Sequence, residues 1–399
     1  MTGESSTQPA FGRPLHVGAP NVPSRARFLD LVDEVLDSNW LTNDGPLVRR
    51  LEAYIAAYLG VRECVLVCNG TVALEIAARC LGLKGEVIVP SLTFVATASA
   101  IEWLGIRPVF CDVDPRTYCI DPAEVEKHIT SRTTAVLGVH LFGRPCDVDA
   151  LTAIASRHGL KLFFDAAHAF GCSDQGRMIG GNGACEVFSF HATKFFNTIE
   201  GGAVTTNDSD LARQVRLARN FGYEDGSIRA LGINGKMNEV CAAMGISNLE
   251  ALKTIIDSNK RNYDAYREML GEVPGICVID YDEAERNNYQ YVVAEVLPEF
   301  GDTRDRLLER LHRDNVLARS YFAPGCHCVE PYCSHPTSHR QLLHTLGLCD
   351  RLITFPTGIR VSLEDVGRVV ALVRSAGPEG GVPIGDGDTE AAPLSARSS

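Results

Sequence analysis

The chain has 399 residues, of which 45% are hydrophobic and 22% are charged, as expected for a globular protein with two domains. Its net charge of −12 argues against a nucleic-acid partner, because binding to a phosphate backbone relies on clustered Lys and Arg. No apolar stretch is long enough to span a bilayer, and the N-terminus lacks the regions of a signal peptide. We therefore expect a cytoplasmic protein with no membrane partner.

The N-terminal part of the chain predicts two helices after a short tail. Residues 1–12 are mostly polar, and we expect them to be flexible. Apolar residues at helical spacing predict helices over Arg25–Asp37 and Leu47–Leu59. Residues 40–46, between these helices, are rich in turn-forming residues and predict a break.

An alternation of strands and helices occupies the middle of the chain. Seven short apolar runs predict buried strands: Cys64–Val67, Glu86–Val89, Pro108–Cys111, Ala135–Val139, Lys161–Phe164, Glu186–Phe190 and Ala203–Thr206. Helical patterns fill several of the intervals: Thr71–Leu81, Ala96–Leu104, Pro122–Ile129 and Val148–His158. This alternation predicts an α/β fold, with a mainly parallel sheet wrapped by helices.

The C-terminal part predicts a smaller α/β domain. A long helix is predicted over Asn238–Asn259, followed by a strand over Tyr289–Val296 and a helix over Thr303–Asp314. A last helix over Ser362–Ser375 begins with a Ser-x-x-Asp capping box. The composition then turns to Gly, Pro, Ala and Ser. We therefore predict flexible residues 1–12, a large domain over 13–250, a small domain over 251–376 and a flexible tail over 377–399.

Polar residues cluster where several predicted strands end. Asn69-Gly70-Thr71 follows one strand and opens a helix, whose unpaired amides suit a phosphate, although an N-cap by Thr71 explains the same residues. Asp165 ends another strand, and Lys194 follows the next one. Because parallel sheets bind ligands at the carboxyl ends of their strands, we expect these residues to form one site.

Lys194 and Asp165 suit the chemistry of pyridoxal phosphate. Phenylalanines flank Lys194 in the sequence, and apolar surroundings lower the pKa of a lysine. Taken alone, Lys194 could be a surface residue and Asp165 a helix cap. Together they provide the lysine that binds the cofactor aldehyde and the carboxylate that keeps the ring nitrogen protonated.

Three motifs around these residues resemble those of a known family. They are Asp-Ala-Ala-His at residues 165–168, Phe-Ser-Phe-His-Ala-Thr-Lys at 188–194 and Glu-Gly-Gly at 200–202. Over roughly residues 13–375, the chain is similar to the sugar-nucleotide aminotransferases, which are pyridoxal-phosphate enzymes of fold type I. The resemblance implies a large cofactor-binding domain and a smaller C-terminal α/β domain.

The resemblance also implies roles for residues around the cofactor. Lys194 binds the aldehyde, and Asp165 keeps the ring nitrogen protonated. The other implied contacts are with the phosphate (Gly70, Thr71 and Ser189), the ring hydroxyl (His168) and the face of the ring (Phe94). Without the resemblance, Phe94 and His168 would be interpreted as core residues.

A second set of residues is implied to bind the substrate or to cross a dimer interface. The segment Gly232–Met237 resembles the loop that reaches the cofactor phosphate of the neighbouring subunit, so Asn234 predicts a homodimer with shared active sites. This loop departs from the family pattern at Gly235 and Lys236, and lysine lacks the two-pronged anion contact of arginine. The residues expected near the sugar nucleotide are Trp40, Thr42, His191 and Lys236.

The implied reaction moves an amino group from L-glutamate to a nucleotide-linked keto sugar. Family members that act at carbon 4 tend to carry the His-x-Thr-Lys and Glu-Gly-Gly motifs found here. We therefore expect TDP-4-keto-6-deoxy-D-glucose as substrate, in the biosynthesis of a deoxyaminosugar for an antibiotic or a polysaccharide. The alternatives are a TDP-3-keto-6-deoxyhexose 3-aminotransferase and a non-catalytic, sugar-binding regulatory protein. A related dehydratase would have histidine in place of Lys194.

A cluster of cysteines and histidines near the C-terminus raises the question of a metal. Its members are Cys326, His327, Cys328, Cys333, His335 and His339. Their spacing does not repeat as paired Cys-x-x-Cys sites do, and Pro324 and Pro331 indicate a loop. We therefore predict no metal, with zinc as the minor alternative.

Overall fold

A computed structural model describes residues 8–335 and 341–377 of the chain. Most of the two predicted flexible tails, and His339 of the Cys/His cluster, lie outside the described residues. The predicted flexibility of residues 1–12 stays a prediction, although one described residue of this segment packs against the rest of the chain. Phe11 is buried, and its amide donates a hydrogen bond to the carbonyl of Asp314.

The described residues form sixteen strands and twelve α-helices, besides four short 3₁₀-helices. The strands are β1 Leu15–His16, β2 Glu63–Val67, β3 Glu86–Pro90, β4 Arg107–Cys111, β5 Thr133–Val139, β6 Lys161–Asp165, β7 Ser173–Asp174, β8 Arg177–Met178, β9 Glu186–Ser189, β10 Gly202–Thr206, β11 Tyr223–Glu224, β12 Ser227–Ile228, β13 Ile276–Val278, β14 Val292–Val296, β15 Val316–Leu317 and β16 Leu352–Phe355. The helices are α1 Arg25–Ser38, α2 Pro46–Leu59, α3 Gly70–Cys80, α4 Ala96–Trp103, α5 Pro122–His128, α6 Val148–His158, α7 Ser209–Ala218, α8 Glu239–Glu250, α9 Leu252–Leu270, α10 Arg304–Arg313, α11 Leu343–Arg351 and α12 Leu363–Ala376. Within the described ranges, no helix has the length and apolar character that crossing a membrane requires.

A seven-stranded sheet forms the centre of the fold, with strand order β2-β10-β9-β6-β5-β3-β4. The pairs β3–β4, β3–β5, β5–β6 and β6–β9 are parallel, whereas β10 is antiparallel to both of its neighbours. Six strands of this sheet therefore point in one direction, and β10 points in the other. The predicted α/β fold with a mainly parallel sheet is confirmed, and the sheet brings the ends of β2, β6 and β9 to one edge.

The strands of this sheet are apolar because helices and loops cover both of its faces. In β2, Cys64 and Leu66 belong to one hydrophobic core, whereas Val65 and Val67 belong to another. A strand that is buried on both faces reads as a continuous apolar run rather than as an alternating pattern. This burial explains why short apolar runs in the sequence were sufficient to locate the strands.

The C-terminal part contains a three-stranded antiparallel sheet with order β13-β14-β16. Helix α12 begins with the predicted capping box, since the Ser362 hydroxyl accepts a hydrogen bond from the Asp365 amide and the Asp365 carboxylate accepts one from the Ser362 amide. Strand β1, near the N-terminus, pairs with β15 in this part of the chain. The domain limits at residues 13, 250 and 376 stay predictions.

Two predicted elements differ from the structure, each because of a backbone conformation. The helix expected over Asn238–Asn259 is two helices, α8 and α9, because Ala251 has φ −102° and ψ 7° and leaves the helical conformation. The strand expected over Tyr289–Val296 begins only at Val292. Tyr289 has φ 48°, a left-handed conformation that no strand accommodates.

Candidate active site

A cavity of about 520 Å³ opens at the edge of the central sheet where β2, β6 and β9 end. Its volume lies in the range typical of small-molecule sites. Eight of the residues predicted from the sequence line it: Gly70, Thr71, Phe94, Asp165, His168, Ser189, His191 and Lys194. The topology thus brings together residues that are separated by more than a hundred positions in the sequence.

The start of α3 forms one corner of the cavity. Asn69, and not Thr71, caps this helix, since the Asn69 Oδ1 accepts a hydrogen bond of 2.8 Å from the Val72 amide. A Cβ atom on Gly70 would lie 2.8 Å from the Ser189 Cβ, so only glycine allows α3 to approach β9 this closely. The first amides of the helix and the Ser189 hydroxyl therefore lie close together in the cavity. The positive end of the helix dipole favours an anion at this position.

Asp165 lies buried on the floor of the cavity. Its Oδ2 accepts a hydrogen bond of 2.8 Å from the Thr97 hydroxyl, and its Oδ1 accepts one of 3.0 Å from the Ala167 amide. Burial raises the pKa of Asp165, while these two hydrogen bonds and the charge of Lys194 act in the opposite direction. The carboxylate keeps further lone pairs with which it can accept a proton donor in the cavity.

Lys194 extends into the cavity from the turn that follows β9. Its Nζ donates a hydrogen bond of 3.3 Å to the hydroxyl of Tyr291, a residue that immediately precedes β14. Burial lowers the pKa of Lys194 from its usual value of 10.5 to about 8. The fraction of Lys194 that is an uncharged, nucleophilic amine near neutral pH is therefore far larger than that of a lysine with the usual pKa.

His168 is held in one tautomer. Its Nδ1 accepts a hydrogen bond of 3.2 Å from the Phe142 amide, so the proton of the neutral ring is on Nε2. Burial lowers the pKa of His168 well below its usual value, and the charge of Lys194 lowers it further. The ring centroid lies 4.6 Å from that of Tyr291. His168 therefore lines the cavity as an uncharged hydrogen-bond donor.

A polar pair lies at the rim of the cavity. The Nδ1 of His191 accepts a hydrogen bond of 3.2 Å from the Thr193 amide, which leaves the ring proton on Nε2. That Nε2 lies 3.4 Å from the Oε1 of Glu200. His191 and Glu200 are both exposed, so they are accessible to a ligand that enters the cavity.

Aromatic side chains from the C-terminal part complete the wall. Phe94 is 57% exposed, and its ring centroid lies 6.1 Å from that of Phe322. Tyr321, Phe322 and Tyr291 also line the cavity, and no pattern in the sequence predicts this because only the fold brings them there. Thr97 lies in the same short segment as Phe94, but the sequence predicts no role for its hydroxyl, which contacts Asp165.

Four predicted residues do not line the cavity: Trp40, Thr42, Asn234 and Lys236. Trp40, Thr42 and Asn234 are exposed, and Asn234 accepts a hydrogen bond of 2.7 Å from the Lys236 Nζ. The two segments that contain them are joined, since the Glu239 amide donates to the Leu41 carbonyl. These four residues therefore belong to one surface region outside the cavity of their own chain.

The described members of the Cys/His cluster make structural contacts. The Cys326 thiol donates to the Thr93 carbonyl, and the His327 Nδ1 lies 2.6 Å from the Ser91 hydroxyl. His335 lies 3.8 Å from Glu102. Across residues 8–335 and 341–377, no group of three or more potential ligands is arranged to hold a metal ion.

The residues of the cavity fit pyridoxal phosphate. The start of α3 and Ser189 suit the phosphate, because Gly70 leaves the space that a side chain would fill. The buried carboxylate of Asp165 suits the ring nitrogen, and the Nε2 proton of His168 suits the ring hydroxyl. Lys194 is an amine of lowered pKa that can bind the aldehyde, and Phe94 presents an exposed ring that can stack on the cofactor.

Comparisons with known proteins agree with this chemistry. Residues 24–374 match the DegT/DnrJ/EryC1/StrS aminotransferase family. A dTDP-4-amino-4,6-dideoxy-D-glucose transaminase from Shigella dysenteriae is 39% identical over 313 residues, covering 78% of this chain and 85% of that protein. A GDP-perosamine synthase from Caulobacter vibrioides is 32% identical over 363 residues, covering 90% of this chain and 96% of that protein.

A solved structure is more similar still. DesI, crystallised in the presence of its TDP-sugar product, is 48% identical and superimposes with a TM-score of 0.89, covering 93% of this chain and 95% of that chain. The fold, the contents of the cavity and the match over most of the chain lead to the same conclusion. The chain belongs to the DegT/DnrJ/EryC1/StrS aminotransferase family and is a pyridoxal-phosphate-dependent sugar-nucleotide aminotransferase.

Proposed function

We propose that this enzyme transfers the amino group of L-glutamate to carbon 4 of TDP-4-keto-6-deoxy-D-glucose, giving the 4-amino-4,6-dideoxy sugar. The observation that carries this proposal is the pair of His191 and Glu200 at the rim of the cavity that contains Lys194. The pair belongs to the two motifs that are typical of relatives acting at carbon 4. It offers a hydrogen-bond donor and an acceptor to the hydroxyls of a sugar.

The similar proteins support the choice of nucleotide. The two transaminases from Shigella dysenteriae and Escherichia coli, 39% and 36% identical to this chain, are named for a dTDP-linked 4-amino sugar. DesI has a TDP-sugar product. The perosamine synthase is named for a GDP-linked sugar and is less similar, at 32% identity. The balance of these similarities favours a TDP-linked substrate.

The residues of the cavity have different roles in the proposed reaction. The bound cofactor supplies an electron sink for the negative charge that develops on the substrate carbon. Lys194 would hold the cofactor through its Nζ, and its free amine would serve as the base that removes the α-proton, because its lowered pKa leaves Nζ partly unprotonated near neutral pH. Asp165 holds the ring nitrogen protonated, and Ser189 and the start of α3 hold the phosphate.

The position of the new amine tests the substrate assignment. Incubation with L-glutamate and TDP-4-keto-6-deoxy-D-glucose should give a product whose proton NMR spectrum places nitrogen on carbon 4. A matched incubation with a TDP-3-keto-6-deoxyhexose should give little or no amino sugar. Preferential formation of a 3-amino sugar would overturn the proposal and favour the 3-aminotransferase alternative.

The lowered pKa of Lys194 predicts how cofactor loading depends on pH. Only the uncharged amine attacks the cofactor aldehyde, so the rate at which cofactor-free protein takes up pyridoxal phosphate should rise with pH. It should be half-maximal near pH 8, because burial lowers the pKa of Lys194 to about that value. The growth of visible absorbance after mixing measures this rate, with Nα-acetyl-lysine, whose ε-amine is free, as the unburied control. A half-maximal rate near pH 10.5, the usual lysine value, would contradict the assignment.

We also propose that the enzyme is a homodimer whose two subunits share each active site. Support comes from the surface region that contains Trp40, Thr42, Asn234 and Lys236, which lies outside the cavity of its own chain. The β11–β12 hairpin and the residues on either side of it expose apolar side chains, as a surface that a partner subunit covers would do. These side chains are Phe221, Tyr223, Ile228, Leu231 and Ile233. In the proposed dimer, Asn234 of the partner subunit reaches the cofactor phosphate.

Mixed dimers test this sharing. Lys194→Ala removes the reactive amine, whereas Asn234→Asp places a negative charge against the phosphate, so each homodimer should be impaired. In a mixed dimer, one site would contain both changes and the other neither. Co-refolded mixtures should therefore regain activity, with at most one working site per mixed dimer. Verified mixed dimers of folded parents that regain no activity would rule out sharing through Asn234.

A further inference from the structure

A chain of three buried polar groups runs from the wall of the cavity to its floor. The Thr93 and Thr97 hydroxyls lie 2.8 Å apart, and the Thr97 hydroxyl lies 2.8 Å from the Oδ2 of Asp165. Thr97 is 0% exposed and Thr93 is 2% exposed. Neither hydroxyl can exchange its partner freely for water, so the direction of each hydrogen bond matters.

The chemistry of the groups fixes these directions. An ionised carboxylate only accepts hydrogen bonds, so the single proton of the Thr97 hydroxyl points to Asp165. The Thr97 oxygen is then left as an acceptor, and the proton between the two threonines comes from Thr93. The chain therefore donates in one direction, from Thr93 through Thr97 to Asp165, as long as Asp165 is ionised.

The segment that carries Thr93 is fixed by the C-terminal part of the chain. The Cys326 amide donates a hydrogen bond of 2.9 Å to the Ser91 carbonyl, and the Cys326 thiol donates one of 3.3 Å to the Thr93 carbonyl. The Ser91 hydroxyl accepts a hydrogen bond from the His327 amide at 3.1 Å and lies 2.6 Å from the His327 Nδ1. Cys326 and His327 thus fix the turn that carries Thr93. The hydrogen-bonded series from Thr93 through Thr97 to Asp165, which begins at this turn, is called the relay below.

We propose that Thr97 is a positioning residue for Asp165, and that Thr93 directs the Thr97 hydroxyl toward the carboxylate. The relay stabilises the buried Asp165 carboxylate in its ionised form and orients the remaining lone pairs of this carboxylate toward the cavity. The proton on the cofactor ring nitrogen is thereby held in place. This inference rests on the proposed role of Asp165 beside that nitrogen.

The experiment compares five variants loaded with isotope-labelled pyridoxal phosphate, and it follows the NMR chemical shift of the ring nitrogen against pH. In Thr97→Val, the midpoint of ring-nitrogen deprotonation should fall by about one pH unit, because a carboxylate that is no longer held in position forms a weaker ion pair with the protonated nitrogen. Thr97→Ser keeps the hydroxyl and should keep the midpoint. Thr93→Val should shift it less than Thr97→Val. Thr205→Val is the matched control, since Thr205 is a buried threonine whose hydroxyl donates to the Gly180 carbonyl instead.

A second readout does not require catalysis. The dissociation constant of the cofactor-free protein for pyridoxal phosphate should rise about tenfold in Thr97→Val and stay near the wild-type value in Thr97→Ser and Thr205→Val. Thermal melting of each variant reports whether it folds. If Thr97→Val does not fold, Thr93→Val decides, because it removes the donor that directs the Thr97 hydroxyl but leaves that hydroxyl in place.

Asp165→Asn separates the two ways in which the inference can fail. If Asp165→Asn lowers the midpoint but Thr97→Val and Thr93→Val leave it unchanged, the relay is refuted and the role of Asp165 stands. If Asp165→Asn also leaves the midpoint unchanged, the role of Asp165 fails and the relay fails with it. An equal shift in Thr205→Val would show that loss of any buried hydroxyl suffices, which would also overturn the inference.

Discussion

Replacing Lys194 with alanine is expected to abolish transamination. The substitution removes the amine that binds the cofactor aldehyde and the base that moves the α-proton, so the rate should fall by at least about three orders of magnitude. Cofactor held only by non-covalent contacts should still bind, but more weakly. Lys253→Ala is the matched control, because the Lys253 side chain is 87% exposed and lies outside the cavity.

Borohydride reduction checks which lysine carries the cofactor. Reduction makes the bond between cofactor and lysine permanent, so mass spectrometry of the digested protein should find the label on the peptide that contains Lys194. Lys253→Ala should be labelled like the wild type, and Lys194→Ala should not be labelled. A label on any other lysine in the wild-type protein would show that Lys194 is not the reactive residue.

Replacing Asp165 with asparagine is expected to slow proton removal from glutamate by about two orders of magnitude or more. A neutral amide cannot stabilise the protonated ring nitrogen as a carboxylate does, and charged groups that stabilise developing charge in a site typically contribute that much. The protein should still fold, since asparagine has nearly the same volume and can accept the Thr97 hydrogen bond. The half-reaction with glutamate, followed by absorbance in rapid mixing, measures the effect.

Asp112→Asn is the matched control for this substitution. Asp112 is also a buried aspartate, but its carboxylate accepts hydrogen bonds from the amides of His344 and Thr345 rather than facing the cavity. Its variant should keep a half-reaction rate close to that of the wild type, provided that it folds. A near-normal rate in Asp165→Asn would contradict the role proposed for Asp165.

The sequence was sufficient to predict the sheet and the edge that carries the site. The strands are short and buried on both faces, so each is a compact apolar run, and several of them end in or are followed by polar residues. Asp165, Ser189 and Lys194 lie at or just after such ends, and parallel pairing brings those ends together. The polar residues that follow the apolar runs in the sequence lie at the same edge of the folded sheet, so the sequence was sufficient to predict that they lie close together.

The remaining part of the site depends on contacts that no local pattern contains. Tyr291 contacts Lys194 and Phe322 contacts Phe94, although the members of each pair are far apart in the sequence. Helix periodicity runs through Ala251 without a Gly or Pro, so the break between α8 and α9 has no signal in the sequence. The left-handed conformation of Tyr289 likewise has no signal in the sequence, because a tyrosine rarely adopts it.

A pair of half-reactions on one sample of purified enzyme tests the proposed amino transfer from L-glutamate to the keto sugar most directly. The protein loaded with pyridoxal phosphate should lose its visible absorbance when L-glutamate is added and excess donor is then removed. Addition of TDP-4-keto-6-deoxy-D-glucose should restore the absorbance and release one 4-amino sugar per cofactor. An absorbance that glutamate does not change, or that this keto sugar does not restore, would contradict the central claim.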